Sequence, residues 1–246
     1  MSDTLTRLAE VLEARKGAAK KADKASGVLF DGVFVRHWDS WADGRRNTLF
    51  VAPLPSSDAA PVAGASAISA TLAGDAPSKP FGGSDDYSWS PDGKSIVAAV
   101  RVAGAGEPWS TDFDLYRLDP AGRSAPVNLT AANPAWDAGP VFSADGKTLY
   151  YRAMTRPGFE ADRFGLMAMD LRSGKTRQIA PDWDRSADGI VLSDDGKTLY
   201  TAAQDTGEHP LFAVDIASGE ASRVVADGTV TAFDIAGSTM VLARNS

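Results

Sequence analysis

Trp89-Ser90-Pro91-Asp92-Gly93-Lys94 recurs as Phe142-Ser143-Ala144-Asp145-Gly146-Lys147 and again as Leu192-Ser193-Asp194-Asp195-Gly196-Lys197, about 50 residues apart each time. Apolar runs lie on both sides of each copy. The following runs begin Ser95-Ile96-Val97, Thr148-Leu149-Tyr150 and Thr198-Leu199-Tyr200. Glycine supplies a positive φ, and aspartate hydrogen-bonds the turn backbone. Asp-Gly between apolar runs therefore predicts a tight hairpin.

Working outward, a third run follows each hairpin: Phe113–Leu118, Phe164–Met169 and Leu211–Asp215. A glycine turn comes next, at Pro120-Ala121-Gly122, Arg172-Ser173-Gly174 and Ala217-Ser218-Gly219. A short fourth run closes each unit, near Val127–Leu129, Thr176–Ile179 and Ser222–Val225. Four antiparallel strands repeated at this spacing make propeller blades. The predicted fold is all-β, an incomplete β-propeller of four-stranded antiparallel blades with a short N-terminal helix.

The expected division is an N-terminal helix and linker over 1–27 and a partial β-propeller over 28–246. Within the latter, an irregular blade falls about 28–82 and regular blades about 83–132, 133–181 and 182–227, with a partial blade over 228–246. The helix is predicted over 3–24. Asp3 or Thr4 caps it, Leu5, Leu8 and Leu12 share one face, and Arg15, Lys16, Lys20, Lys21 and Lys24 crowd its far end. That end reads either as a basic docking arm or as a solvated helix terminus. Pro53 to Gly83 reads as a weak outer strand with a long loop. In the last unit Ile235-Ala236-Gly237-Ser238 reads as a worn version of the signature turn. So few blades leave unpaired strand edges. The expectation is therefore a piece of a longer protein, with a homodimer through open blade edges as one way to cover them.

The chain has 246 residues, 43% hydrophobic and 23% charged, a globular rather than a disordered balance. Its net charge of −7 disfavours general binding to phosphate backbones, so no nucleic-acid partner is expected. With no cysteine, disulfides, thiolate metal sites and a cysteine nucleophile are excluded. No apolar run approaches the roughly 20 residues of a membrane span, so no membrane partner is expected. The first residues lack the basic-then-apolar layout of a signal peptide.

Several motifs resemble chemistry without completing it. Gly-Lys-Thr occurs at Gly146, Gly174 and Gly196, but a phosphate-binding loop needs a glycine five positions earlier. Val141, Met169 and Val191 stand there. Asp182 to Ser193 imitates a calcium loop, yet Ala187 replaces its glycine and Ser193 its final glutamate. The two histidines, His37 and His209, are too few for a zinc site built on histidine. No Gly-x-Ser-x-Gly elbow is present for a catalytic serine. No metal, no cofactor and no catalytic residue of its own is expected.

One loop is a candidate site: Met154-Thr155-Arg156-Pro157-Gly158-Phe159-Glu160-Ala161-Asp162-Arg163, between the second and third strands of a blade. It reads as a polar lip for a peptide terminus, with Glu160 or Asp162 for an amine and Arg156 or Arg163 for a carboxylate. The alternative is a loop whose charges satisfy one another.

The repeat, the stretch Arg36-His37-Trp38-Asp39-Ser40-Trp41-Ala42-Asp43-Gly44-Arg45-Arg46 and the segment Arg156-Pro157-Gly158-Phe159-Glu160-Ala161-Asp162-Arg163 resemble the propeller of the prolyl oligopeptidase family. The branch is that of bacterial dipeptidyl peptidases and acylaminoacyl peptidases, and the resemblance covers roughly 28–246. TolB-type propellers share the repeat. The resemblance implies a non-catalytic propeller that gates short peptides toward an α/β-hydrolase domain not contained in this chain. It implies a periplasmic or secreted setting, with the cytoplasm as the alternative. It also matches Glu160 to the acid that receives the substrate terminus. The alternative function is a TolB-like interaction module without enzymatic activity.

Overall fold

The computed structural model describes residues 27, 30, 33, 35–54, 64–225 and 227–245. The helix predicted over 3–24 lies outside the described residues. Two short antiparallel ladders lead the chain, β1 (Arg36–His37) with β2 (Ser40–Trp41) and β3 (Phe50–Val51) with β4 (Ser66–Ala67). Three four-stranded meanders follow. The first is β5 (Tyr87–Trp89), β6 (Ile96–Arg101), β7 (Phe113–Leu118) and β8 (Val127–Asn128). The second is β9 (Asp137–Phe142), β10 (Thr148–Ala153), β11 (Gly165–Asp170) and β12 (Thr176–Ile179). The third is β13 (Ile190–Leu192), β14 (Thr198–Ala202), β15 (Leu211–Asp215) and β16 (Ala221–Val225). A hairpin of β17 (Thr229–Ala236) and β18 (Thr239–Asn245) ends the described chain. Among the described residues the leading segment thus forms two separate two-stranded ladders, not one four-stranded sheet.

The signature turn is the same device three times. Ser143 Oγ donates to Asp145 Oδ1 (2.8 Å) and accepts the Thr148 amide (2.9 Å), while Asp145 Oδ1 accepts the Lys147 amide (3.1 Å). Ser90 with Asp92 and Ser193 with Asp195 repeat the pattern. Gly93, Gly146 and Gly196 have φ of 67, 67 and 69°, the left-handed region that glycine enters without a Cβ penalty. The Lys147 amide and the Ser143 hydroxyl hold the Asp145 carboxyl down at about 2. Removing the hydroxyl leaves the Thr148 amide without its acceptor. Ser143→Ala is expected to cost about 1 kcal/mol, read as a lower denaturant midpoint at unchanged m-value.

The last hairpin differs from its sequence reading. Ile235 and Ala236 are strand, pairing with Met240 and Thr239. The turn is Gly237-Ser238 alone, with Gly237 at φ 57°, the first central position of a II′ turn. A two-residue turn of this kind matches strand twist, so the ladder runs to its very end. Among the described residues β18 pairs with β17 alone, and Val241 on it is 69% exposed.

The blades pack face to face, and this explains the unbroken apolar runs. Ile96 to Val100 are all buried, because β6 is covered on both faces. Ile96, Ala98 and Val100 join Ile68 and Ala76 of the leading segment. Val97 and Ala99 join Leu149, Tyr151 and Met169 of the second blade. On β10 the alternate residue Tyr150 turns to Leu199 and Val214 of the third blade. A strand with both faces buried loses the apolar–polar alternation. Among the described residues no helix is long and apolar enough to cross a membrane.

Candidate functional site

The connections β6–β7 and β10–β11 meet beside one another at one end of the blades. A column of stacked groups joins them. Arg101 lies over the Phe113 ring (4.9 Å), Phe113 stacks on Trp136 (4.4 Å), Trp136 meets Phe164 edge-on (5.8 Å), and Arg152 lies over Phe164 (5.0 Å). Such contacts add to plain apolar burial. They hold the C-terminal end of the 154–163 loop against the first blade.

Within the loop the four candidate residues have different fates. Asp162 Oδ2 accepts the amides of Thr155 (2.9 Å) and Arg156 (2.8 Å). Burial alone raises this carboxyl, but these amides and that of Arg163 reverse the effect and keep it low. Asp162 is therefore an internal staple. Arg163 donates to the Trp183 carbonyl of the next blade (2.8 Å). Arg156 covers the Phe159 ring at 4.0 Å. Glu160 is exposed, and among the described residues nothing pairs with its carboxylate. The loop is also tied sideways, through the Gly158 amide to Thr111 Oγ1 of the preceding blade (2.8 Å).

Under this lip is a cavity of about 370 Å³ between the first and second blades. Asp162 and Arg163 form part of its rim, and Met154, Met167 and Met169 line its apolar side. Asp137 stands in its wall and is completely buried. Its Oδ1 accepts Asn133 Nδ2 (2.9 Å), while Oδ2 has no hydrogen-bond partner. The Thr130 hydroxyl stands near but donates to Asp114 Oδ1 (3.3 Å). Burial, helped by the charges of Asp114 and Asp112, pushes the Asp137 carboxyl up to about 7.

The second cavity, about 790 Å³, is the central channel, lined by the innermost strands β5, β9, β13 and β17. Arg152, Asp188 and His209 face it. His209 Nδ1 donates to the Val230 carbonyl (2.8 Å), which can only accept, and Nε2 meets Asp188 Oδ2 (2.6 Å). Gly139, at φ 62°, leaves room for the Arg152 side chain, since a Cβ there would sit 3.0 Å from Nε. Arg152 donates to the Ala187 carbonyl (3.3 Å) and its guanidinium is lowered by burial. Among the described residues no group of three His, Asp or Glu is placed to hold a metal ion.

The sequence does not single out Asp137, Arg152 or Asp188 as site residues, and it weighs His209 only as a zinc ligand. A signal was present for two of them. Asp137 and Arg152 are charges inside otherwise apolar strand runs, where only a partner or a cavity accommodates them.

No family model matches the chain. Dipeptidyl-peptidase 5 of Porphyromonas gingivalis is 31% identical over 204 residues, covering 82% of this chain and 29% of the relative. Dipeptidyl-peptidase 5 of Trichophyton schoenleinii is 31% identical over 237 residues, 90% of this chain and 33% of the relative. The chain thus spans about a third of the length of these curated relatives. The acylaminoacyl peptidase of Pyrococcus horikoshii superposes on 91% of this chain and 31% of its own, at TM-score 0.58 and 15% identity. Consecutive four-stranded meanders packed face to face define a β-propeller region. With these relatives, the chain belongs to the propeller region of the prolyl oligopeptidase family of serine peptidases.

Proposed function

We propose that this chain is the non-catalytic propeller of a dipeptidyl- or acylaminoacyl-type serine peptidase. It gates short peptides toward an α/β-hydrolase domain that carries the acyl-transfer machinery. The 154–163 loop presents Glu160 to the substrate's terminal amine. One observation carries this reading: Asp162 and Arg163 are engaged by hydrogen bonds, and the Glu160 carboxylate is exposed with no partner among the described residues. The tie to Thr111 fixes the loop that carries it. A fixed carboxylate with unused acceptor capacity suits an ammonium donor. Arg156, stacked over the Phe159 ring, is the loop's cation for a carboxylate.

The test is Glu160→Gln in the full-length enzyme. Removing one charge-assisted bond is expected to lower kcat/KM for free-amine dipeptide substrates by about 10- to 100-fold. Amine-blocked substrates should change little. Equal kinetics for both proteins removes Glu160 from the site. Peptide hydrolysis by the purified 246-residue chain alone would overturn the non-catalytic reading.

A further inference from the structure

We propose that the cavity between the first two blades is a binding site for a small primary ammonium ligand with a short apolar tail, received by Asp137. This goes beyond the Glu160 reading, because Glu160 is not part of the cavity wall. Three observations converge. First, Asp137 is fully buried, lines the cavity, and leaves Oδ2 without a partner. An unmet acceptor in a buried wall favours a ligand that brings an N–H. Second, the surroundings select a cation. Asp112 and Asp114 add negative charge to the same region, and Asp112 Oδ1 is also buried without a partner. Third, one side of the wall is apolar and adaptable, while Thr130, Asn133, Thr176 and Gln178 add polar groups to the rest. Met154, Met167 and Met169 line the apolar side together with Tyr151, and thioethers re-pack around alkyl chains of different shape.

A metal ion fits less well. Among the described residues no trio of His, Asp or Glu is close enough to coordinate one. An alkylammonium needs one carboxylate for its charge and the methionine side of the wall for its alkyl chain. A cavity of about 370 Å³ has the volume for a ligand of a few carbons.

The groups facing Asp137 set the pH dependence. Asp112 and Asp114 approach from β7 and the residues just before it, Tyr151 from β10, and Asp162 and Arg163 from the lip. Asp162 is held low, Tyr151 is pushed far above its ordinary value by burial, and arginine stays charged. Asp137 is thus the group that changes charge near neutrality, with burial also raising Asp112 from its lower ordinary value. Ammonium binding strengthens as Asp137 ionises.

Four of the five methionines make the experiment direct: Met154, Met167 and Met169 line the cavity, and Met240 lies on β18 as an internal reference. The full chain carrying ¹³C-methyl methionine is titrated with n-butylamine at constant ionic strength. Saturable shifts are expected at the three cavity methyls and none at Met240. Affinity should be about tenfold weaker at pH 6 than at pH 8, as a carboxyl near 7 requires. Asp137→Asn should lose roughly tenfold or more in affinity and lose the pH dependence. The neutral analogue n-butanol should bind more weakly than the amine. No saturable shift means a cavity holding water alone and overturns the proposal. Equal binding of butanol, or unchanged binding to Asp137→Asn, overturns the ammonium assignment.

Discussion

Asp137→Asn is expected to make the chain more stable at pH 8, by about 2–4 kcal/mol, and to flatten its stability profile between pH 4 and 7. The sign follows from the direction of the shift. The folded carboxyl is raised from 3.8 to about 7 by burial. Below pH 4 both folded and unfolded chains hold the proton, and its favourable contribution is complete. Between 4 and 7 the unfolded chain ionises while the folded chain does not, so stability falls by up to about 1.4 kcal/mol per pH unit. Above 7 the folded chain carries a buried charge with one unmet oxygen. Asparagine keeps the oxygen that accepts Asn133 Nδ2 and carries no charge. Turn aspartates such as Asp145 and Asp92 are lowered, so they strengthen the fold as pH rises and mask this slope in the wild type. The difference between the two proteins isolates Asp137. Urea unfolding of both from pH 4.5 to 8.5 measures it, and parallel profiles would show that Asp137 does not set the slope.

Leu149→Ala is the second large effect, a loss of about 3 kcal/mol. Leu149, the second residue of β10, is completely buried, opposite Phe142 on one side and Met169 on the other. It also faces Val97, Ala99 and Leu115 of the first blade. Its truncation removes transfer energy and opens a void that strands on both sides cannot close, because each is held in its own ladder. Val241→Ala on the open β18 edge should change stability by less than about 0.5 kcal/mol. Denaturant unfolding separates the two. Similar losses would mean that the blades are not coupled through this core.

Much of the fold was legible because it depends on local chemistry. Ser143, Asp145 and Gly146 build the same turn as their counterparts at Ser90 and Ser193, and no distant residue is needed for it. The strands predicted at Phe113–Leu118, Thr176–Ile179 and Leu211–Asp215 stand at those bounds. The leading segment was less legible. Its ladders are two residues each, and they are positioned by bonds such as Asn47 N–H to Asp75 Oδ1, which join distant parts of the chain.

The candidate site divides along the same line. The loop and its four charged residues stood out by composition, but composition does not say which charges are already in use. Backbone amides engage Asp162, a neighbouring blade's carbonyl engages Arg163, and a ring engages Arg156. Only the assembled blades leave Glu160 without a partner among the described residues and bury Asp137 beside a cavity. Sequence by itself determined the repeating Ser-x-Asp-Gly-Lys hairpins, hence the meanders and the propeller, because a turn is decided by residues a few bonds apart. The tertiary structure decided which carboxylates are already paired or buried, because burial and pairing depend on what the next blade brings against each one.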